Sequence, residues 1–118
     1  MLNHWNKTIT LFIRSEVDKT VQWEKRVFSR CFFKHILSSE FDEKSRINGE
    51  SFIVRIPLSV CNVPVSPGSI AVLGNIPDVI EASASGNDIL RKYPGKSFKV
   101  NTVSDNTDFY TPHIRIGN

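Results

Sequence analysis

At 118 residues, with 40% hydrophobic and 10% aromatic content, the chain is too apolar for disorder and can hold one core, burying roughly two-thirds of its unfolded surface. Fifteen Lys and Arg against twelve Asp and Glu leave a formal charge of +3, mixed along the chain, which is too small an excess to argue for a nucleic-acid surface. Cys31 and Cys61 form no CxxC motif, so zinc-ribbon and thioredoxin-type chemistry are unsupported, and buried free thiols in a reducing cytoplasm are expected. The apolar run Ile9 to Ile13 is too short for a signal-peptide core or a membrane span, and Asn6-Lys7-Thr8 is a glycosylation sequon only in a secreted chain.

In chain order, Lys7 to Arg14 alternates as a half-buried strand, Ile9 and Leu11 on one side and Thr8 and Thr10 on the other. Val21 to Ile36 holds neither Pro nor Gly. Its apolar residues make no clean helical stripe, and their β-branched and aromatic content predicts strands: one bent ribbon, or a hairpin turning near Ser29 and Arg30. Ser38 to Glu50 is charged, closes with Asn48-Gly49, and reads as an exposed hairpin loop or flap.

Phe52 to Ile76 is the expected sheet core. Phe52, Val54 and Ile56 face one way, Ile53 and Arg55 the other, and Pro57 ends the strand or marks an edge. Pro67-Gly68 has the composition of a type II turn and leads into a second core strand, Ile70 to Leu73. A short helix is predicted around Asp88, capped by Ser85 or Asn87, with Ile89 and Leu90 toward the sheet and Arg91 and Lys92 at its C-terminal end. Pro94-Gly95 stops it. Phe98 to Ser104 alternates as a strand, Ser104-Asp105-Asn106 suits an Asx-type turn, and His113 to Ile116 is the last strand. The sum is a mainly β fold, a small β-barrel or sandwich of about six to eight short strands with one short helix, in a single domain over residues 1–118.

Chemical motifs are weak. Gly95-Lys96-Ser97 resembles the tail of a phosphate loop, yet position 90 is Leu where that loop needs glycine. His4, His35 and His113 share no metal-ligand spacing, and His113 suits a structural role after Pro112. Cys31 and His35 would lie about 13 Å apart on a strand and could meet only on a helix. Asp42 and Glu43 beside Lys44 and Arg46 read as a solvated face rather than an acid pair. No catalytic group, cofactor or metal is therefore expected. The strongest residue-level alternative is single-stranded nucleic-acid binding, with bases stacking on Trp23, Phe28 and Phe33 and phosphates meeting Lys25, Arg26 and Arg30.

Phe52 to Pro57 (FIVRIP), Pro67 to Gly74 (PGSIAVLG), Val103 to Asn106 (VSDN) and Pro112-His113 with Gly117 resemble, in order and spacing, a family of small proteins from tailed phages and prophages of Gram-positive bacteria. The resemblance reaches back to Val27 to Phe33. Ser69 and Leu73 depart from it, standing where that family carries Asp and Lys.

The genes of that family lie among those for capsid, connector and tail. The resemblance thus implies a non-enzymatic virion protein at the head-to-tail joint, made in the bacterial host cytoplasm. The expected type is a ring-forming head completion or stopper protein, with a tail terminator or minor head protein as structural alternatives. Implied partners are copies of itself in a ring, neighbouring connector, adaptor and tail proteins, and packaged DNA nearby, with no membrane. Two loops are candidate contacts: the charged flap with Asp42, Glu43, Lys44 and Arg46, and the later loop with Asp105, Asn106, Phe109 and Tyr110 leading to His113.

Overall fold

A computed structural model of the chain describes residues 6–37, 50–58, 64–106 and 113–118. Within them, β1 (Lys7–Val17), β2 (Thr20–Leu37), β3 (Glu50–Pro57) and β4 (Ile70–Leu73) precede the helix α1 (Asn87–Lys92), and β5 (Ser97–Lys99), β6 (Thr102–Asn106) and β7 (His113–Gly117) follow it. All neighbouring strands run antiparallel, in the order β5-β4-β1-β2-β3-β7-β6. The fold is mainly β and curled like a barrel, as the strand and turn pattern predicts.

The curl comes from two corners. At the first, Lys7 pairs with Cys31 but Ile9 pairs with Phe28, so Ser29 and Arg30 together oppose the single residue Thr8. This bulge puts Arg30 at a φ of 59°, bends β2 and shifts its pleat, so that Phe28 and Cys31, three apart, both point inward. Of the two possibilities for this segment, the bent ribbon is the one realised. Its first part pairs with β1 and its last part, Phe32 to Leu37, with β3.

The second corner lies between β5 and β6. The Val100 N–H donates to the Ser69 carbonyl at 2.7 Å, still on the β4 side, while the Asn101 N–H donates to the Gly117 carbonyl at 2.8 Å, on the β7 side. The outermost strands of the order are thus successive halves of one ribbon. It serves β4 first and β7 next.

Turn chemistry places the connections. The β1–β2 hairpin closes through Asp18 and Lys19 at φ values of 52° and 66°, the mirror-image turn that suits strand twist. Ser69 N–H donates to the Ser66 carbonyl across Pro67 and Gly68, with Gly68 at φ 97°, as the type II signature requires. Pro57 ends β3 and does not mark an edge, because β3 is flanked by β2 and β7.

Inside the curl, Ile9, Leu11, Ile13, Phe28, Cys31, Phe52, Val54, Ile56, Ala71, Phe98, Val100 and Ile116 form the main core. A second cluster, Phe12, Ile70, Val72, Ile76 and Ile89, fills the outer side of β1 and β4 beneath α1, with Trp23, Ile80, Leu90 and Tyr93 packed around it. β1 is therefore buried on both faces over Ile9 to Ile13, not half-buried as its alternation suggests. Thr10 lies on the covered face. Its hydroxyl donates to the Gly74 carbonyl at 2.7 Å and accepts the Ile76 N–H, so no polar group is stranded.

The helix falls where expected. Its N-cap residue is Gly86, at φ 82° and with no side chain to cap with, and not Ser85 or Asn87 as expected; the Ser85 hydroxyl accepts the Asn87 N–H, Ile89 is buried, and Arg91 and Lys92 occupy the last turn.

Candidate functional site

The flap residues Asp42, Glu43, Lys44 and Arg46, the Asn48-Gly49 pair, and Phe109 and Tyr110 of the later loop lie outside the described residues, as does Cys61. Their flanking strands are defined. Residues 38–49 join Leu37 to Glu50, which pair across β2 and β3, and residues 107–112 join Asn106 to His113, which pair across β6 and β7. His113 also pairs with Pro57, at the far end of β3 from Glu50. The two connections therefore leave opposite ends of the same sheet, separated by the length of β3, about 24 Å.

Asp105 and Asn106 belong to β6, opposite Ile114 and His113, rather than to an Asx turn. Their backbones continue the β6–β7 ladder. His113 is 2% exposed, so its ring is part of the folded interior, in keeping with a structural histidine and not with a surface contact of the single chain.

The three rings of the nucleic-acid alternative do not share a face. Phe28 is 6% exposed and points into the main core, while Trp23 lies on the opposite face of the sheet against the second cluster, its indole N–H donating to the Ala84 carbonyl at 2.9 Å. Phe33 packs against the main core, tilted on Phe52 with ring centres 6.1 Å apart. Of the cations, Lys25 donates to the Ile76 carbonyl and Arg26 pairs with Glu24. Trp23 and Lys25, two residues apart, thus share the outer face beside Ile76, and the rings are taken up by packing. Cys31 and His35 sit on the bent strand, the Cys31 thiol against the Phe28 and Ser29 carbonyls. His35 stacks on Phe52 at 4.3 Å, and Phe52 on Phe98 at 5.0 Å.

A surface that sequence reasoning missed lies on the outside of the β2–β3–β7–β6 sheet. Register aligns Phe32, Arg55, Arg115 and Ser104 in one row across its four strands. The next row toward the β2 C-terminus runs Lys34, Ile53, Gly117 and Thr102. The Arg55 guanidinium sits 4.8 Å from the Phe32 ring centre, and Arg55 and Arg115 are half-buried while Lys34, Ser104 and Thr102 are exposed. Only the registers reveal this grouping, because Lys34, Arg55 and Arg115 come from three strands far apart in sequence.

Around α1, Asp78 accepts from Lys92 Nζ at 2.7 Å and from the Tyr93 hydroxyl at 2.5 Å. The Lys92 and Tyr93 hydrogen bonds hold the Asp78 carboxyl below its usual range, and the bond to Asp78 raises both Lys92 and Tyr93. A shallow cavity of about 370 Å³ opens beside this tether, lined by Asp78, Ile80, Glu81, Ser85, Asp88 and Lys92 among others. Among the described residues no group of three or more His, Cys, Asp or Glu could hold a metal ion, and no helix is long and apolar enough to cross a membrane.

One family, described as a family of unknown function (DUF6751), matches residues 4–118. No curated protein and no solved structure matches the chain.

Proposed function

The chain belongs to the DUF6751 family, and we propose that it is a virion structural protein of a tailed phage, a ring-forming head completion protein of the stopper type at the head-to-tail joint. The observation that carries this reading is that the strand ends flanking its two candidate contact loops lie at opposite ends of one sheet. A subunit in a stack of rings must meet neighbours above and below. Loops at opposite poles of a barrel do that, while the barrel wall is left to bind the next copy around the ring. The motif resemblance in FIVRIP, PGSIAVLG, VSDN and the Pro112-His113 pair supports the same location. The mechanism is assembly: the barrel is the wedge and the loops are the joints.

Quantitative mass spectrometry on gradient-purified particles, made from the phage or prophage that carries this gene, tests the proposal. A constant, ring-sized copy number relative to portal and capsid proteins is the expected result. Separate measurement of heads and free tails distinguishes a stopper, retained on filled heads, from a tail terminator, retained on tails. Absence from all particles would overturn the structural role.

A further inference from the structure

We propose that the outer face of the β2–β3–β7–β6 sheet is a binding surface for the phosphate backbone of duplex DNA, with Arg55 and Arg115 as its central clamp and Lys34 beside them. The two arginines are direct cross-strand partners. Directly opposed residues on an antiparallel pair hold their Cβ atoms about 5 Å apart, and like charges there oppose folding. Among the described residues neither arginine has an acidic partner in any ion pair. No acidic side chain is described on this face. An unneutralised pair of this kind, kept on a rigid sheet, is complementary to an anion that arrives from outside.

Guanidinium groups suit phosphate because their planar fork donates two parallel hydrogen bonds, and here one fork is stacked on an aromatic ring, which reduces the freedom it loses on binding. Ser104 beside Arg115 and Thr102 in the next row add exposed hydroxyl donors at the same surface. The rows lie about 7 Å apart along the strands, so Lys34 can meet a phosphate beside the one held by the arginines. Contacts made by these side chains to phosphates alone carry no sequence information, so binding would be independent of sequence.

The site rests on sheet geometry alone. Its use toward packaged DNA rests on the virion reading above, and the particle measurement and the following one can fail separately.

Binding of the full chain to a labelled random-sequence duplex of about 20 base pairs would be measured by fluorescence anisotropy across a salt series. Arg55→Gln with Arg115→Gln is expected to weaken binding about tenfold or more at low salt and to lower the slope of log affinity against log salt by about 2. Arg91→Gln with Lys96→Gln, the same charge change on the α1 side, should leave most of the binding and the slope in place. Thermal melting of the Arg55/Arg115 variant should occur at or above the wild-type temperature, since a like-charge pair has been removed. No duplex binding by the wild-type chain, or equal loss in both double variants, would overturn the proposal.

Discussion

Single residues in this fold are constrained most where backbone conformation and packing coincide. Gly86 has a φ of 82°, and a Cβ there would come within 2.5 Å of Ile70 Cδ1 and 3.3 Å of Ile80 Cδ1. Left-handed conformation costs an L-residue about 1–2 kcal/mol, and overpacking a filled site adds typically about 1–3 kcal/mol. Gly86→Ala should therefore destabilise clearly in chemical denaturation. Gly74→Ala, at φ 103° but with nothing within 4 Å, should suffer only the backbone part. Equal losses in the two variants would mean that packing against Ile70 contributes nothing. None of this distinction is visible in the sequence, which marks both positions only as glycines. Thr10 teaches the same lesson, because its place on the polar side of an alternating strand hides a fully buried hydroxyl.

Elements owe their positions to pairing, and α1 shows how a short one is held. Six residues are too few to be helical alone. Ile89 and Leu90 pack on the second cluster, and Asp78 ties Lys92 and Tyr93 at its C-terminal end. Asp78 titrates lower in the folded chain than when unfolded, so its contribution is full above about pH 4 and is lost as pH falls through the folded value. Lys92 and Tyr93 titrate higher when folded, so their contributions are full below about pH 10 and are lost as pH rises through their folded values. Hydrogen-exchange protection of the Ile89 and Tyr93 amides, corrected for intrinsic rates, should be flat between about pH 5 and 9 and should fall toward acid. Asp78→Asn should lower the plateau modestly and remove the acid limb. An unchanged acid limb would assign it to another carboxylate.

For the whole molecule, a curled sheet whose two edges are joined by the β5–β6 ribbon can carry variable loops without losing its core. The paired ends Leu37 and Glu50 close the β2–β3 hairpin whatever lies between them, and lengthening or shortening such a connection changes closure entropy only slowly. Deleting Asp42 to Arg46 should leave the melting temperature of the purified chain within a few degrees of wild type while impairing assembly of infectious particles. Full infectivity of that variant would remove the flap from the mechanism. Monomeric behaviour of the isolated chain is compatible with a ring that forms only on its neighbours.

Local physics made several elements legible in advance. Pro67-Gly68 dictates its turn through sterics, Phe52 to Ile56 shows its two faces by alternation, and α1 is bounded by Pro94-Gly95, because each signal is contained within a few residues. Nothing local specifies the bulge at Arg30, the burial of β1 on both faces, or the shared inward face of Phe28 and Cys31. Each follows from which strand lies alongside, and register is a property of pairs. The charges make the point most fully. Along the sequence they are mixed, and strand pairing alone sets Arg55 opposite Arg115, sixty positions later in the chain. Strand alternation and turn signals determined that the fold would be mainly β; only the tertiary structure decided which surface became basic, because side-chain neighbours on a sheet are chosen across strands and not along them.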